Sequence, residues 1–420
     1  MLRLVRALVP LLLALLLAAP VAGAGSAAAA RYIVVLRGAA DSTAVAREHA
    51  ASYGAAVSHV YRAAFRGYAA TIPVARLAAV KSDARVAFVS VDGEVHAIAQ
   101  TLPTGINRID GDVSSQLSGN GSGNLSGPAV AVIDTGSGPH TDLNIVGGVN
   151  CSTGRPTNFN DGNGHGTHVA GTIGAKDDSN GVVGVAPGVP IYSVRVLNNA
   201  GSGSWSSVAC GIEWVTANAA SKNIKVANMS LGGSGSDDGN CGKSNNDALH
   251  KAICGSVAAG VTYVVAAGNS NVDFASFVPA AYNEVLTVTA EADFNGQPGG
   301  GAAATCRTDV DETPADFSNF TTVGSADASH TIAAPGVCIL STWKGGGYNT
   351  ISGTSMASPH VAGTASLCIA SGGCSGTPAN VIGKLRADAA ARAGGYGFVG
   401  DPNSPNVNRY YGYLVYAGGY

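Results

Sequence analysis

The most informative stretch of the chain is Gly353-Thr354-Ser355-Met356-Ala357-Ser358-Pro359-His360-Val361-Ala362-Gly363. A turn of small residues leads into an apolar run with helical spacing, and Ser355 lies at the junction. The free N–H groups in the first turn of a helix favour negative charge. A serine held there is well placed to attack a carbonyl group, and the helix start then helps to hold the oxyanion. Because a lone serine at this position is more often a simple N-cap, the interpretation depends on partners elsewhere in the chain.

Apolar runs alternate with helical patterns on the N-terminal side of this stretch. Buried strands are predicted at Ala129–Ile133, Ile191–Leu197, Val226–Met229, Val261–Ala266 and Val285–Val288. Helices are predicted near 165–175, 204–220, 244–259 and 355–371. This alternation predicts an α/β fold, a parallel sheet with helices on both faces. In such sheets, functional sites gather beyond the carboxyl ends of the strands.

Two motifs at element ends supply the partners that a reactive serine needs. An apolar strand ends in an acid, Asp134, within Val130-Ala131-Val132-Ile133-Asp134-Thr135-Gly136. A glycine-rich turn presents His165 at the start of a helix, within Asp161-Gly162-Asn163-Gly164-His165-Gly166-Thr167-His168-Val169-Ala170-Gly171. A serine hydroxyl is a poor nucleophile unless a base removes its proton, and histidine, with a pKa near 6.5, suits that task. A carboxylate on the other ring nitrogen fixes the tautomer and stabilises the imidazolium.

Together, these motifs resemble those of the subtilisin-type serine endopeptidases, and the chain is most similar to the proteinase K and aqualysin branch. The resemblance implies that Asp134 orients the imidazole, that His165 is first general base and then general acid, and that Ser355 is the nucleophile. Val264-Val265-Ala266-Ala267-Gly268-Asn269 matches the family segment whose asparagine donates to the oxyanion. Asn269 is therefore expected to act with the Ser355 N–H.

The resemblance also implies a substrate cleft. Asn228-Met229-Ser230-Leu231-Gly232-Gly233 is similar to the strand that pairs with an extended peptide substrate. The expected walls of the primary specificity pocket are Ser230, Leu231, Gly232, Ala266, Ala267 and Gly268. Phe277 lies in the neighbouring loop, where it either fills the pocket floor or points away. Asn228-Met229-Ser230 is also a glycosylation sequon, but a glycan there would obstruct the cleft, which favours a bacterial exported origin.

The N-terminal part of the chain predicts a separate small domain. The expected order is strand Tyr32–Leu36, helix Ser42–Ser52, strand Val57–Tyr61, strand Tyr68–Ile72, helix Val74–Ser82 and strand Val86–Val91. This βαββαβ order predicts a ferredoxin-like α+β unit. By the resemblance, it is an inhibitory pro-region that also assists folding. The expected layout is a signal peptide at 1–24, the pro-region at 25–97 and the catalytic domain at 98–420, with self-cleavage near Ala97–Ile98.

The first residues indicate export. Arg3 and Arg6 precede an apolar run that ends near Pro20, and Ala22-Gly23-Ala24 follows with small-x-small spacing. This pattern is typical of a secretory signal and is too short for a membrane anchor. The net charge of −3 and the charged content of 12% argue against a nucleic-acid or anionic-membrane partner. We expect a secreted monomer whose partners are protein or peptide substrates and its own pro-region, without a membrane association once the signal is removed.

Eight cysteines in an exported chain indicate disulfides. The pairs Cys241–Cys254 and Cys368–Cys374 are favoured because short loops close at little entropic cost. For the remaining four, we expect Cys151–Cys210 and Cys306–Cys338, although the spacing alone leaves other pairings open.

A structural calcium site is a further implication of the resemblance. Lys176-Asp177-Asp178-Ser179-Asn180-Gly181-Val182 is similar to the calcium loop of the family. The expected ligands are the Asp178 side chain, the carbonyl oxygens of Lys176, Asn180 and Val182, and the side chains of Asp142 and Gln100. Carboxylate, amide and carbonyl oxygens suit a hard cation. The bland alternative is a solvated turn.

Two other functions compete with a serine protease. His165 and His168 are three residues apart, so a metal-dependent hydrolase is conceivable, but no His-Glu-x-x-His motif or third ligand is evident. The resemblance makes His168 and His360 structural. A binding protein that keeps the fold without turnover is the second alternative, but all of the expected catalytic positions carry reactive residue types.

Overall fold

The structure is a computed structural model that describes residues 29–93, 100–392 and 394–420. It divides into two compact units at Ala97 and Ile98. The expected signal peptide and the expected cleavage point lie outside the described residues. Within the described ranges, no helix is both long enough and apolar enough to cross a bilayer.

The first unit is a small α+β domain. Its elements are β1 (Ala29–Leu36), α1 (Ser42–Tyr53), β2 (Ala56–Tyr61), β3 (Gly67–Pro73), α2 (Leu77–Ser82) and β4 (Val86–Val91). The strands form an antiparallel sheet in the order β2-β3-β1-β4. Asp41 caps the start of α1 through its carboxylate, and Gly54, at φ 68°, ends the helix in the left-handed conformation. The predicted βαββαβ order is confirmed.

The second unit contains the remaining elements. Its helices are α3 (Thr104–Arg108), α4 (His165–Gly174), α5 (Trp205–Asn218), α6 (Ala248–Ala258), α7 (Thr354–Ala370) and α8 (Pro378–Arg392). Its strands are β5 (Ala129–Asp134), β6 (Ile145–Asn150), β7 (Ile191–Arg195), β8 (Ile224–Met229), β9 (Gly233–Ser234), β10 (Thr262–Ala266), β11 (Phe277–Val278), β12 (Leu286–Ala292), β13 (Thr313–Pro314), β14 (Thr321–Thr322), β15 (Thr331–Pro335), β16 (Ile339–Trp343), β17 (Gly347–Ile351) and β18 (Arg409–Tyr410).

An eight-stranded sheet forms the centre of this unit. The strand order is β13-β12-β10-β8-β5-β7-β6, and β15 pairs with the other side of β12. The pairings are parallel except for the short β13, which is antiparallel to β12. The predicted parallel α/β sheet is therefore confirmed, and the carboxyl ends of β5, β8 and β10 lie at one edge.

Helices cover both faces of the sheet. Successive side chains of each strand point to opposite faces, so alternate residues lie in different cores. Val130 and Val132 of β5 lie in a core with residues of α4 and α7. Ala131 and Ile133 lie in the opposite core, with residues of α5 and α6. All four strand side chains are 0% exposed. This double burial explains why the predicted strands are continuous apolar runs rather than alternating ones.

Four disulfides stabilise the second unit. They join Cys151 to Cys210, Cys241 to Cys254, Cys306 to Cys338 and Cys368 to Cys374. These are the pairings expected from the sequence, including the two that spacing left open, and no cysteine is free among the described residues. The second of them ties the loop after β9 to helix α6.

Candidate active site

Asp134 ends β5 at the edge of the sheet, and its side chain is fully buried. Its Oδ1 accepts hydrogen bonds from the Thr135 N–H at 2.7 Å and from His165 Nδ1 at 2.8 Å. Because the Thr135 N–H holds this carboxylate and solvent does not reach it, its orientation is fixed. Asp134 is therefore fixed to bind one nitrogen of the His165 ring.

His165 is the first residue of α4, and its position depends on two glycines. Gly164 has φ 117°, and a Cβ there would lie 2.4 Å from the Trp343 ring. A Cβ on Gly166 would lie 2.0 Å from the Gly136 carbonyl oxygen and 3.0 Å from Asp134 Oδ1. Only glycine permits this close approach of α4 to the end of β5. The glycine-rich turn of the motif therefore brings the imidazole to the carboxylate.

The surroundings of His165 change its pKa in opposing directions. Burial lowers the pKa, but the negative charge of Asp134 and its hydrogen bond outweigh burial and raise the pKa of His165 above 6.5. The side chain remains 26% exposed. Because Nδ1 binds Asp134, Nε2 is the nitrogen left for proton transfer.

Ser355 is the second residue of α7, as the sequence predicts. Its hydroxyl lies 3.4 Å from the Ser230 carbonyl oxygen and donates to it. In the described residues, no hydrogen bond joins Ser355 Oγ to His165. Catalytic hydrogen bonds in proteins without substrate are often long and form fully only when substrate binds. The structure thus brings Asp134 and His165 into contact and leaves the Ser355 hydroxyl turned to Ser230.

Asn269 follows β10 and lies beside the start of α7. Its Oδ1 accepts from Thr354 N at 2.8 Å and from Thr354 Oγ1 at 2.9 Å, so its amide N–H groups face the other way. A Cβ on Gly353 would lie 3.4 Å from Asn269 Nδ2 and 3.6 Å from Ser355 N. The Asn269 amide nitrogen and the Ser355 backbone nitrogen therefore both lie within 4 Å of one point beside Gly353.

The segment after β8 lies against the same helix. Ser230 Oγ donates to the Ser355 carbonyl oxygen at 2.9 Å, and Asn228 Nδ2 donates to Ser230 Oγ at 3.0 Å. Asn228 is fully buried and also accepts from Ser358. Because Asn228 has no exposure and its Nδ2 is bound to Ser230, the folded chain has no room for a glycan on this residue.

A cavity of about 640 Å³ opens between this segment and helix α5. It is lined by His165, Trp205, Ser230, Leu231 and Gly232, among others. Three of the expected substrate-binding residues therefore border an open cleft that contains His165.

Phe277 lies beside two glycines of the expected pocket walls. A Cβ on Gly232 would lie 2.4 Å from Phe277 Cε1, and a Cβ on Gly268 would lie 3.0 Å from the same atom. Ala266 and Ala267, the other two residues of the 266–268 wall, are 3% and 0% exposed. Of the two positions that the sequence left open for Phe277, the ring takes the one beside these expected walls.

His168 and His360 are fully buried and bind backbone carbonyls. His168 Nε2 lies 2.9 Å from the Ile339 carbonyl oxygen, and His360 Nδ1 lies 2.8 Å from the Met356 carbonyl oxygen. Burial lowers the pKa of His168 to about 3 and that of His360 to about 4. These contacts favour the structural role, and neither histidine shares a metal-binding group with His165 in the described ranges.

Three carbonyls of the 176–182 loop converge on the Gln100 side chain. Gln100 Nε2 lies 2.5 Å from Lys176 O, 3.0 Å from Val182 O and 3.1 Å from Asn180 O. Its Oε1 is buried without a hydrogen-bond partner. Rotating the amide by half a turn would place an amide oxygen among three carbonyl oxygens, and this set of ligands suits Ca²⁺.

The two carboxylates of the expected calcium set differ. Asp142 Oδ1 is buried without a partner, while its Oδ2 accepts from Val182 N at 3.1 Å. Burial raises the pKa of Asp142. The Asp178 carboxylate instead accepts from Asn180 N at 3.1 Å and forms no hydrogen bond to Gln100 in the described chain. The Lys176 ammonium donates to a carbonyl outside the loop, so only its own carbonyl faces Gln100.

Two positioning residues were missed by the sequence reasoning. Asp161 accepts hydrogen bonds from Gly164 N, Thr167 N and Thr135 Oγ1, so it holds the turn that presents His165. Thr354 holds Asn269. Both lie inside the quoted motifs, and an acid that opens a glycine-rich turn before a helix is the signal that could have identified Asp161.

The comparisons with known proteins agree with this geometry. Residues 126–413 match the subtilase family. The chain belongs to the subtilase family. Residues 31–97 of this subtilase match the peptidase inhibitor I9 family. The family resemblance inferred from the sequence is therefore confirmed for both units.

Individual relatives give the extent of the match. Subtilisin DY from Bacillus licheniformis is 40% identical over 275 residues, which cover 64% of this chain and 85% of that protein. An alkaline protease from Alkalihalobacillus alcalophilus is 39% identical over 289 residues, covering 69% of this chain but only 65% of the relative. The crystal structure of a cold adapted subtilisin-like serine proteinase is 33% identical with a TM-score of 0.56, over 76% of this chain and 99% of that chain.

Proposed function

We propose that this subtilase is a secreted serine endopeptidase that is made as a self-processing zymogen. The observation that carries the proposal is the 2.8 Å contact between Asp134 and His165 at the sheet edge where α7 presents Ser355. The relatives named alkaline protease and subtilisin support the reaction class.

The first half of the reaction forms an acyl-enzyme. Ser355 Oγ attacks the carbonyl carbon of the scissile peptide bond while its proton passes to His165 Nε2. Asp134 stays ionised and stabilises the imidazolium through Nδ1–H. The oxyanion accepts hydrogen bonds from Asn269 Nδ2 and Ser355 N. His165 then gives its proton to the leaving amine as the C–N bond breaks.

The second half uses water in place of Ser355. His165 removes a proton from water as the water oxygen attacks the acyl carbon, and then returns that proton to Ser355 Oγ as the ester bond breaks. Because the Ser355 hydroxyl donates to Ser230 without substrate, it has to turn toward His165 before the first attack. A substrate strand that pairs with the Ser230–Gly232 segment would occupy the cleft beside it and favour this turn.

Phe277 is expected to restrict the residue on the acyl side of the scissile bond. Its ring contacts both Gly232 and Gly268, which form the expected walls of the primary pocket. We infer a preference for small side chains there. Phe277→Gly should raise the relative cleavage of peptides with a large residue at that position by about 10- to 200-fold, as expected when a hydrophobic pocket is enlarged. Profiling a peptide library with both proteins tests this, and an unchanged profile contradicts it.

The N-terminal segments fit a zymogen. Residues 1–24 would direct export, and residues 25–97 would act as an intramolecular inhibitor, which the I9 match over 31–97 supports. Self-cleavage near Ala97–Ile98 would release the catalytic domain, 98–420. The separate 25–97 segment should inhibit the mature enzyme at micromolar concentration and speed its refolding, since a parallel sheet has many non-local contacts and folds slowly.

Calcium is the cofactor that the second unit would hold. The residues that fit are Gln100, Asp142 and the carbonyls of Lys176, Asn180 and Val182, because two of the side chains present buried oxygens without partners. Asp178 would complete the set by turning from Asn180. Bound Ca²⁺ would stabilise the native state, by about 4 kcal/mol at a thousandfold excess over Kd. Chelation should lower Tm in the parent and not in Asp142→Asn/Asp178→Asn.

The decisive experiment replaces the nucleophile. Ser355→Ala should lose about 10⁶-fold in peptide hydrolysis, a magnitude taken from subtilisin itself, and the precursor should stay uncut. Ser371→Ala, at the other end of α7, is the matched control and should mature normally. Self-cleavage of purified Ser355→Ala would contradict both the nucleophile and the zymogen proposals.

An inhibitor test separates the competing functions. A serine-directed phosphonate should abolish hydrolysis, while a transition-metal chelator should not, provided that calcium is kept in excess. Inhibition by the chelator alone would favour a metal-dependent hydrolase. Folded protein without any turnover would favour a binding protein that keeps the fold.

A further inference from the structure

A polar cluster outside the active site lies between the loop after β9 and helix α6. His250 of α6 is 0% exposed, and its Nε2 lies 2.8 Å from Glu284 Oε2. Its Nδ1 lies 3.2 Å from Asp238 Oδ1 and 3.4 Å from Asp237 Oδ1, yet it has no hydrogen-bond partner. Three carboxylates therefore surround one buried imidazole. The serine protease mechanism uses none of these groups.

A neutral His250 would face repulsion from the carboxylates on one side of its ring. A carboxylate can only accept, so the contact with Glu284 places the proton of a neutral imidazole on Nε2. The Nδ1 lone pair then faces two carboxylate oxygens at close range, which is repulsive. In the part of the chain that the structure describes, no lysine or arginine forms an ion pair with Asp237, Asp238 or Glu284. A cation at the centre would remove the repulsion.

The distances around Nδ1 fit a bound metal ion. Nitrogen and oxygen ligands at about 2.0–2.1 Å from a tetrahedral Zn²⁺ lie roughly 3.3–3.4 Å from one another. The nitrogen-to-oxygen separations here are 3.2 and 3.4 Å. The contact between Glu284 and Nε2 is also the one that orients metal-binding histidines, because such histidines donate their other ring N–H to a carboxylate.

The protein holds these groups in place. The Asp238 carboxylate accepts from the N–H groups of Asn240, Gly242 and Ser244. The Cys241–Cys254 disulfide ties the same loop to α6, four residues beyond His250. The two sulfur atoms lie near His250 but are bonded to each other, so they are not metal ligands.

The carboxylates around His250 are partly exposed. The Asp237 side chain is 15% exposed, the Asp238 side chain 4% and the Glu284 side chain 28%. Water would complete the coordination of an ion bound there. An imidazole nitrogen among few oxygens favours a zinc-type ion over Ca²⁺, which takes six to eight oxygen ligands.

We propose that Asp237, Asp238 and His250 form a binding site for a divalent transition-metal ion of the zinc type. His250 Nδ1 and one oxygen of each aspartate are the ligands, and Glu284 orients the imidazole. The competing occupant is a proton, which would make His250 an imidazolium shared by the carboxylates. The two differ in one respect: only a metal site takes up one equivalent of ion.

The test titrates Co²⁺ and then Zn²⁺ into the full-length Ser355→Ala chain, without an affinity tag or reductant. Saturating Ca²⁺ is present to block the proposed calcium site. We expect one equivalent of Co²⁺ to bind with the visible absorption of a four- or five-coordinate ion, and Zn²⁺ to displace it. Asp237→Asn should weaken uptake at least tenfold, and Glu284→Gln should weaken it by about 10- to 100-fold.

Asp327→Asn is the matched control. The Asp327 side chain is 16% exposed and lies 3.5 Å from a ring nitrogen of the buried His330. Among the described residues, His330 pairs with this carboxylate alone, whereas three carboxylates surround His250. Its replacement should leave metal uptake unchanged. Circular dichroism and disulfide mapping check the fold of each variant, and Glu284→Gln carries the test if Asp237→Asn does not fold. Absence of saturable uptake in the parent, or equal uptake by the folded ligand variant and the control, overturns the proposal.

Discussion

Helix α4 begins at the open edge of the sheet with His165 and enters the interior one turn later with His168. At the edge, burial is offset by the Asp134 carboxylate, and the pKa of His165 is raised. In the interior, His168 has no carboxylate partner among the described residues, and burial lowers its pKa to about 3. His360 in α7 repeats the interior case. The difference shows that a carboxylate partner can reverse the direction in which burial shifts the pKa of a histidine.

Removing the carboxylate should produce the largest effect. Asp134→Asn leaves His165 in place but removes its negatively charged partner and the hydrogen-bond acceptor that fixes its tautomer. The kcat should fall about 10⁴-fold, as in serine proteases with an Asp-His-Ser triad. Asp309→Asn is the control, since Asp309 is 1% exposed and pairs with Arg307 elsewhere in the unit. Initial rates on a chromogenic peptide measure both. A loss of kcat below tenfold would mean that the Asp134 carboxylate is not what distinguishes His165 from His168.

The pH profile of the same pair sharpens the point. His165 must be neutral to act as base, and its raised pKa places the acid limb of kcat/KM above pH 6.5 in the parent. Without the Asp134 charge, burial outweighs the smaller effect of Asp161 and the pKa of His165 falls. The acid limb of Asp134→Asn should therefore move to lower pH. A shift toward higher pH would contradict the assignment.

Acid should reveal the two interior histidines through stability. The pKa values of His168 and His360 are lowered to about 3 and about 4, so between those values and 6.5 the unfolded chain binds more protons than the native one. Stability therefore falls as pH falls below 6.5, by about 2 kcal/mol from each histidine at pH 5. Denaturant unfolding of the Ser355→Ala chain at pH 7 and pH 5 measures this. Replacing His360 by glutamine should reduce the loss of stability between pH 7 and pH 5 by about 2 kcal/mol.

The donors at the edge provide the next test. Asn269→Ala removes one of the two proposed oxyanion donors beside Gly353, and kcat should fall by about 10²- to 10³-fold with little change in KM. This range also comes from subtilisin. A rise in KM with kcat unchanged would instead show that Asn269 binds the ground state as strongly as the oxyanion.

Changing the interior partner should have the smallest effect on rate. His168→Asn is expected to alter kcat by less than about tenfold, because His168 contacts the Ile339 carbonyl and no reacting group. Its cost should be in stability, about 1–3 kcal/mol if that buried carbonyl loses its partner. Rates and unfolding free energies of one preparation are compared. A loss of kcat as large as that of Asp134→Asn would mean that His168, like His165, is needed for the reaction.

The sheet and the contact between Asp134 and His165 could be predicted because their signals are local. The apolar run that ends in Asp134 and the glycine turn before His165 are continuous in sequence, and the fold only had to bring them together. Phe277 could not be placed, since its contacts with Gly232 and Gly268 join three separate segments.

The cluster around His250 was missed for a related reason. Asp237 and Asp238 belong to a polar loop whose sequence is typical of a solvated turn, and His250 lies on helix α6. Helix α8 was also not predicted, since its alanine-rich sequence has only a weak apolar stripe. The hydroxyl of Ser355 turned to Ser230 is a matter of one torsion angle, and composition and spacing do not determine it.

All four disulfides belong to the second unit, and the first has no cysteine at all. Once separated from the rest, the first unit keeps only a small core and no covalent cross-link to limit its opening. A protease cuts a substrate mainly through its transiently opened state. The first unit should therefore be cut sooner than the second once the two are separated. If it inhibits the second unit as proposed, that inhibition would last only as long as the uncross-linked unit survives.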